Sequence, residues 1–259
     1  MFEDEFNLVV KNGVEYITAR AFDEVGGYRH FFSTRIGGKS KGVFEKLNLG
    51  IYTEDSVNNI ENNFRQIFKA SDMNLLKMVY LKQVHSAMFY KVDDCNYNDI
   101  RGRDGDALIT TSKNVPVGVF TADCVPIIIG DRKGRVAGAV HAGWRGTFLN
   151  IAGRVINYMI QNIGIEAKDI IAAIGPAIGP CCFEVGKNVA DNFQFIENRN
   201  GKLFVDLFAE NVKHIREAGV LGENISCSRL CTFCSEDKFY SYRRDDGKTG
   251  RLGTFIELI

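Results

Sequence analysis

Three residues carry the clearest chemical potential in this chain: His85, Cys124 and His141. Each lies at the edge of an apolar stretch and beside small residues, in Leu81-Lys-Gln-Val-His-Ser, Thr121-Ala-Asp-Cys-Val-Pro-Ile and Ala139-Val-His-Ala-Gly-Trp-Arg-Gly-Thr. Two imidazoles and one thiolate make a good zinc set. Three protein ligands leave a fourth position open, the mark of a catalytic site in which a bound water is acidified to a pKa of ~7. The spacing, His-x38-Cys-x16-His, is no local metal motif, so residue pattern alone favours reading these side chains as buried core groups. A third reading needs no metal. Cys124 would be a nucleophilic thiolate, His141 its general base, and Asp123 or a backbone carbonyl the group that orients the histidine.

Other polar clusters admit a functional and a plain reading. Phe239-Tyr-Ser-Tyr-Arg-Arg-Asp-Asp-Gly-Lys-Thr-Gly-Arg holds four cations around a turn. Arg243 and Arg244 there could fork onto a phosphate, or the stretch could be a solvated hairpin tip neutralised by Asp245 and Asp246. Arg35, between an apolar stretch and Gly37-Gly38, could meet an anion or close a loop. Cys227-x3-Cys231-x2-Cys234 offers three thiols without a local fourth ligand, and with Cys181-Cys182 it reads as packed cysteine. His214, beside Lys213 in a helical pattern, reads as facing solvent.

The elements that must position these groups are mixed. Short stretches rich in β-branched and aromatic residues suggest strands at Tyr16–Phe22, His30–Arg35, Met78–Val84, Ala107–Thr110, Val117–Ala122, Val136–His141 and Ile170–Ile174. Three helices follow from apolar spacing: Val57, Ile60, Phe64, Ile67 and Phe68 behind a Ser56 cap; Phe148, Ala152, Val155, Met159 and Ile163 ending at Gly164; and Phe208, Val212 and Ile215 ending near Gly219. Phe239–Ile259 reads as strand, turn, strand, with Asp246-Gly247 as the hairpin signal. Without regular βαβ alternation, the fold class is α+β with mostly antiparallel or mixed sheet, as one compact unit over residues 1–259. No phosphate loop or dinucleotide fingerprint is present.

Composition narrows the partners. The 259 residues carry 32 basic and 32 acidic side chains, so the polyanion footprint of a nucleic-acid binder is missing. No apolar stretch approaches the ~18 residues of a membrane span. The opening MFEDEFNLVV lacks a signal peptide's charged and apolar regions, and seven cysteines suit a reducing compartment. The expectation is a cytoplasmic protein that touches neither membrane nor nucleic acid and whose oligomeric state is open.

The strings Phe32-Ser-Thr-Arg-x-Gly-Gly, Leu47-Asn-Leu-Gly, Gln83-Val-His-Ser, Asp104-Gly-Asp-Ala, Thr121-Ala-Asp-Cys-x-Pro, His141-Ala-Gly-Trp-Arg-Gly-Thr, Gly175-Pro-x-Ile-Gly-Pro-Cys-Cys-x-Glu-Val-Gly and Ser241-Tyr-Arg-Arg-Asp occur in this order. Together they resemble the laccase-domain family, often labelled polyphenol oxidase and now assigned as purine nucleoside phosphorylases. The resemblance runs from about His30 to the C-terminus. It implies a two-sheet α/β/β/α sandwich with zinc held at His85, Cys124 and His141. It also implies phosphorolysis of adenosine, inosine, guanosine and methylthioadenosine, and hydrolytic deamination of adenosine. The partners would then be a nucleoside and phosphate. Asp123 is the candidate proton shuttle by proximity in sequence, and Arg145 joins the catalytic set. Arg35, Asn48, Arg243 and Arg244 are the candidate substrate and phosphate ligands, and Trp144 or Phe32 could stack on the purine. Copper is compatible with these donor types, but four histidines with no His-x-His pair cannot supply a multicopper cluster. The alternatives are a cysteine-dependent amide hydrolase or deamidase built on Cys124 and His141, and a purely structural zinc protein with a fourth ligand such as Cys231 or Cys234.

Overall fold

The computed structural model describes residues 2–259. Among these described residues, fifteen strands form three sheets. The first runs β1 (Phe6–Lys11), β2 (Val14–Ala19), β3 (Tyr28–Ser33), β15 (Leu252–Leu258), β7 (Val117–Thr121) and β4 (Val79–Tyr80) from edge to edge. The second runs β14 (Ile225–Cys227), β10 (Ile170–Ile174), β8 (Val125–Asp131), β9 (Ala137–Ala142), β6 (Ala107–Thr110) and β5 (Phe89–Val92). A small third sheet joins β11 (Glu184–Val185), β13 (Lys202–Val205) and β12 (Ile196–Arg199). Pairing is antiparallel except for β4 with β7, β5 with β6 and β10 with β14, so both large sheets are mixed.

Side-chain alternation explains the layering. Ile17, Phe32 and Ile256 of the first sheet meet Leu108, Ile128 and Ile171 of the second in a core between the sheets. Their chain neighbours Tyr16, Phe31 and Phe255 point the other way, into a core shared with Ile60, Phe64, Ile67 and Phe68 of the helix Val57–Ala70. Ile109, Ile127 and Ile129 likewise face a third core, shared with Val155 and Ile156 of the helix Ile151–Tyr158 and with Phe208 and Ile215 of the helix Leu207–Glu217. A strand presents alternate residues to opposite faces, and both faces of both sheets are covered here. The result is the α/β/β/α sandwich, and it accounts for strands that read as unbroken apolar runs.

Local differences from the sequence reading have identifiable causes. The stretch expected as a strand over Tyr16–Phe22 leaves the sheet at Ala19, and the helix Arg20–Val25 tucks Phe22 into the core. Of Met78–Val84 only Val79–Tyr80 pairs as strand. Ser56 makes no side-chain cap; Asp55 accepts the Ser56 N–H instead. The helix expected through Phe148 breaks at Asn150, whose φ of +55° starts a new helix with its own side chain accepting from Gly153 N–H. Phe148 is therefore exposed, in the separate helix Trp144–Phe148. Gly164 does end the segment, in the left-handed conformation. The expected C-terminal hairpin is half right: β15 is a central strand, whereas residues 239–250 form a turn-rich loop in which Asp246 and Gly247 both have positive φ. His214 is half-buried, with burial lowering its pKa, rather than facing solvent.

Candidate metal centre and cleft

His85, Cys124 and His141 converge at one end of the sandwich. Cys124 lies in the short connection from β7 to β8, where the chain crosses from the first sheet to the second. His85 lies on another such crossing, between β4 and β5. His141 is near the end of β9, paired in register with Pro126 at the start of β8. The three ligand atoms all lie within 4.8 Å of one another. Cys124 Sγ stands 3.8 Å from His85 Nε2, and the two imidazole centroids are 4.9 Å apart.

One residue the sequence reading assigned no role, Asp106, organises this triad. It is fully buried, and its carboxylate takes four hydrogen bonds: Oδ1 from His85 N–H (2.9 Å) and His141 Nδ1 (2.8 Å), Oδ2 from Ser86 N–H (2.6 Å) and the Ser86 hydroxyl (2.7 Å). The bond to Nδ1 fixes that nitrogen as the protonated one and leaves Nε2 free to ligate, a familiar arrangement behind metal-bound histidines. The bonds to the two amides hold His85 at a φ of +58°, an uncommon conformation for histidine. Gln83 steadies the same loop by pairing with β7 as a strand would: its Nε2 donates to Phe120 O and its Oε1 accepts from Phe120 N–H. Asp106 belongs to the Asp104-Gly-Asp-Ala string, which was the available signal.

The electrostatics favour a thiolate. Burial works against ionising Cys124, but the His141 charge and hydrogen bonds from both histidines bring its pKa down to about 6. Burial likewise opposes charging His141, yet Cys124 and Asp106 raise its pKa to about 9. Burial also opposes the Asp106 charge, and the His141 and Ser86 hydrogen bonds outweigh it and keep the carboxyl below its ordinary value. Gly143 leaves the room these ligands need, because a Cβ there would stand 2.9 Å from His85 Cδ2 and 3.0 Å from Cys124 Sγ. Two imidazole nitrogens and a thiolate, converging and backed by a carboxylate, fit a tetrahedral ion with one open position.

That open side faces a cleft of about 490 Å³, within the usual size of small-molecule sites. Trp144, Arg145, Ile178, Phe183, Tyr242 and Arg243 are on its wall, with Arg251, which the sequence reading did not single out. Arg145 stacks on Trp144, and Arg251 lies over Tyr242.

The structure does not bring every expected residue into the cleft. Asp123 is there, but its carboxylate is committed to Thr232 Oγ1 (2.7 Å) and Arg243 N–H (2.7 Å), which suits a positioning part. Asn48 is buried behind the wall: its Oδ1 accepts from Gly50 and Arg251 N–H, so it places two cleft residues without reaching the cleft. Arg35 stacks on Tyr240 and donates to Glu236 O. Arg244 is absorbed by Thr232 O, Phe239 O and Asp245. Phe32 is core. Cys231 and Cys234, the candidate fourth ligands, gather in a different cluster with Cys181 and Cys182.

A family model described as multi-copper polyphenol oxidoreductase laccase matches residues 29–259. The chain belongs to this family. Among relatives of this laccase-like family, it is 36% identical over 242 residues to the purine nucleoside phosphorylase YlmD of Geobacillus stearothermophilus, covering 86% of this chain and 88% of that one. It is 34% identical over 233 residues to the purine nucleoside phosphorylase YfiH of Escherichia coli, covering 88% and 92%. The crystal structure of a Bacillus licheniformis hypothetical protein YfiH superposes with a TM-score of 0.90 at 31% identity, over 98% of this chain and 99% of that one. The multi-copper description sits poorly on these residues. The chain has four histidines, and His30 and His214 lie outside the cluster. No helix among the described residues is long and apolar enough to cross a membrane.

Proposed function

We propose that this chain is a zinc-dependent purine nucleoside phosphorylase acting on adenosine, inosine, guanosine and methylthioadenosine, with adenosine deamination as a second activity. The carrying observation is the His85–Cys124–His141 cluster opening onto a cleft lined by both arginine and aromatic groups. The names of the relatives support the same reading. A zinc ion held there would supply Lewis-acid polarisation and an acidified water. The chain's own residues do the rest. Trp144 and Tyr242 offer flat apolar faces for a purine. Arg145, Arg243 and Arg251 hold the anionic phosphate against the anomeric carbon as the nucleophile, so that its charge faces the cationic sugar as the purine leaves. Asp106 keeps His141 in the ligating tautomer, and Asp123 fixes the backbone of Arg243.

Incubating metal-analysed protein with adenosine, with and without phosphate, tests this. Adenine and ribose-1-phosphate that require phosphate, or inosine that does not, should form and should vanish in Cys124→Ala together with the zinc bound at His85 and His141. Turnover in Cys124→Ala with zinc still held by His85 and His141 would remove this thiol from the assignment.

A second reading draws on one specific observation. Cys124, His141 and Asp106 also form a thiolate–imidazole–carboxylate relay, with the thiol pKa at about 6. A cysteine-dependent amide hydrolase or deamidase would use that relay covalently. It would keep its activity in chelator and lose it on adding zinc, the opposite of the phosphorylase.

A further inference from the structure

Two loops far apart in sequence meet beside the cleft, and four thiols meet with them. Cys181 and Cys182 come from the loop between β10 and β11. Cys231 and Cys234 come from the loop after β14. All four sulfurs lie within 4.8 Å of one another. Cys234 Sγ is 3.7 Å from Cys181 Sγ and 3.4 Å from Cys182 Sγ. Four sulfurs at the zinc–thiolate distance of about 2.3 Å, placed tetrahedrally, are separated by about 3.8 Å. The spacing of the free thiols is already close to that of a metal-bound set. Cys227, which sequence grouped with Cys231 and Cys234, is outside the cluster.

The backbone around the thiols is built to hold them. Ala177 N–H donates to Leu230 O (3.1 Å) and Thr232 N–H to Ala177 O (3.0 Å), zipping the loops together on either side of Cys231. Gly179 N–H points at Cys231 Sγ, 3.3 Å away, the kind of donor that offsets charge on a coordinated thiolate. Arg199, itself paired with Glu197, donates to Cys181 O at 3.5 Å and tethers that loop to the small third sheet. Soft sulfur donors in this number and geometry select a tetrahedral ion such as zinc.

We propose that Cys181, Cys182, Cys231 and Cys234 form a second metal site, a closed tetrathiolate that binds one zinc ion and clamps the two loops into a wall of the cleft. Four protein ligands leave no open position, so the site is structural. Its reach into the cleft is direct. Ile178 and Phe183 line the cleft from the first loop. Ile178 N–H donates to Asp123 O (2.8 Å), and Thr232 Oγ1 of the second loop donates to Asp123 Oδ1 (2.7 Å), next to Cys124. The clamp stands whether or not the cleft performs the phosphorolysis proposed above.

The test is metal stoichiometry and X-ray absorption on the full chain, expressed with zinc and purified anaerobically under reducing conditions. Wild-type protein should hold two zinc ions. His85→Ala/Cys124→Ser should keep one, surrounded by four sulfurs at about 2.3 Å. Cys182→Ser/Cys234→Ser should also keep one, now in a mixed nitrogen and sulfur shell. A folded Cys182→Ser/Cys234→Ser protein that retains both ions would overturn the proposal. Should that variant not fold, His85→Ala/Cys124→Ser decides alone: no zinc, or nitrogen in its shell, refutes the site. A Cys182–Cys234 disulfide mapped by mass spectrometry in the wild-type preparation, or iron in place of zinc, also refutes it.

Discussion

Replacing Asp106 by Asn probes the centre without removing a ligand. The carboxylate accepts four hydrogen bonds, two on each oxygen. An amide has one oxygen and one NH2, so one pair of donors must face N–H groups. With NH2 toward His85 and His141, the imidazole is driven to the other tautomer, Nε2 carries the proton and cannot ligate, and the His85 amide loses its partner. With NH2 toward Ser86, the Ser86 amide is stranded, although the hydroxyl can turn to accept. A stranded buried donor costs about 1–3 kcal/mol, and loss of a carboxylate behind a ligating histidine weakens metal binding by about 10–100-fold. Asp106→Asn should therefore lower zinc affinity by that factor in competition with a chromophoric chelator. It should also lower unfolding free energy by about 1–3 kcal/mol in urea titrations of the metal-free protein. Proton release is an independent readout. At pH 7 the metal-free Cys124, with its pKa at about 6, is mostly thiolate, while His141, at about 9, is protonated. Zinc must expel that proton, so calorimetry in buffers of different ionisation enthalpy, run in a Cys182→Ser/Cys234→Ser background so that only this centre takes zinc, should show about one proton released with Asp106 in place and fewer in Asp106→Asn. Unchanged zinc affinity and proton release in a folded variant would refute the role given to Asp106.

Gly143→Ala would drive a methyl against His85 and Cys124; zinc affinity should fall at least about tenfold with little change in the melting temperature of the metal-free protein, and unaltered affinity would show that the ligands have slack. Gly118→Ala places a Cβ 2.1 Å from Phe255 Cδ1 in the core over the first sheet, so the urea midpoint should drop by the equivalent of about 1–3 kcal/mol. His30 accepts the Ala19 N–H on Nε2, and burial lowers its pKa from 6.5 to about 4. Between those values the unfolded chain binds the extra proton, so the stabilising contribution is complete above pH 6.5 and is lost as pH falls toward 4, by up to ~3 kcal/mol. Metal-free His30→Gln, whose amide oxygen can accept the same N–H, should show a shallower loss of stability between pH 6.5 and 4.5; an identical slope would place the titration elsewhere.

Much of the architecture is legible in the residues because it rests on local periodicity. The apolar faces of the helices at 57–70 and 207–217 and the strands at 107–110, 117–121 and 170–174 follow from spacing that a single stretch of chain displays. The donors His85, Cys124 and His141 stand out by type and by their small neighbours, and the family strings strengthen that reading. What the strings leave open is partnership. Asp106 looks like one acidic residue in a loop until β6 and β9 pair and bring it under His141. Arg244 and Arg243 are adjacent, yet Arg243 lines the cleft beside Phe183 and Glu184 O while Arg244 is held by Thr232 O, Phe239 O and Asp245 away from it. Cys181 and Cys182 look like packed thiols because Cys234 lies 52 residues beyond Cys182. Sequence by itself determined which chemistry the chain has available, since ligand type, charge and apolar pattern belong to single residues and their near neighbours. Tertiary structure alone decided which of those groups meet, because hydrogen bonds and coordination act over a few ångströms, and only the crossing of two sheets brings residues tens of positions apart within that range.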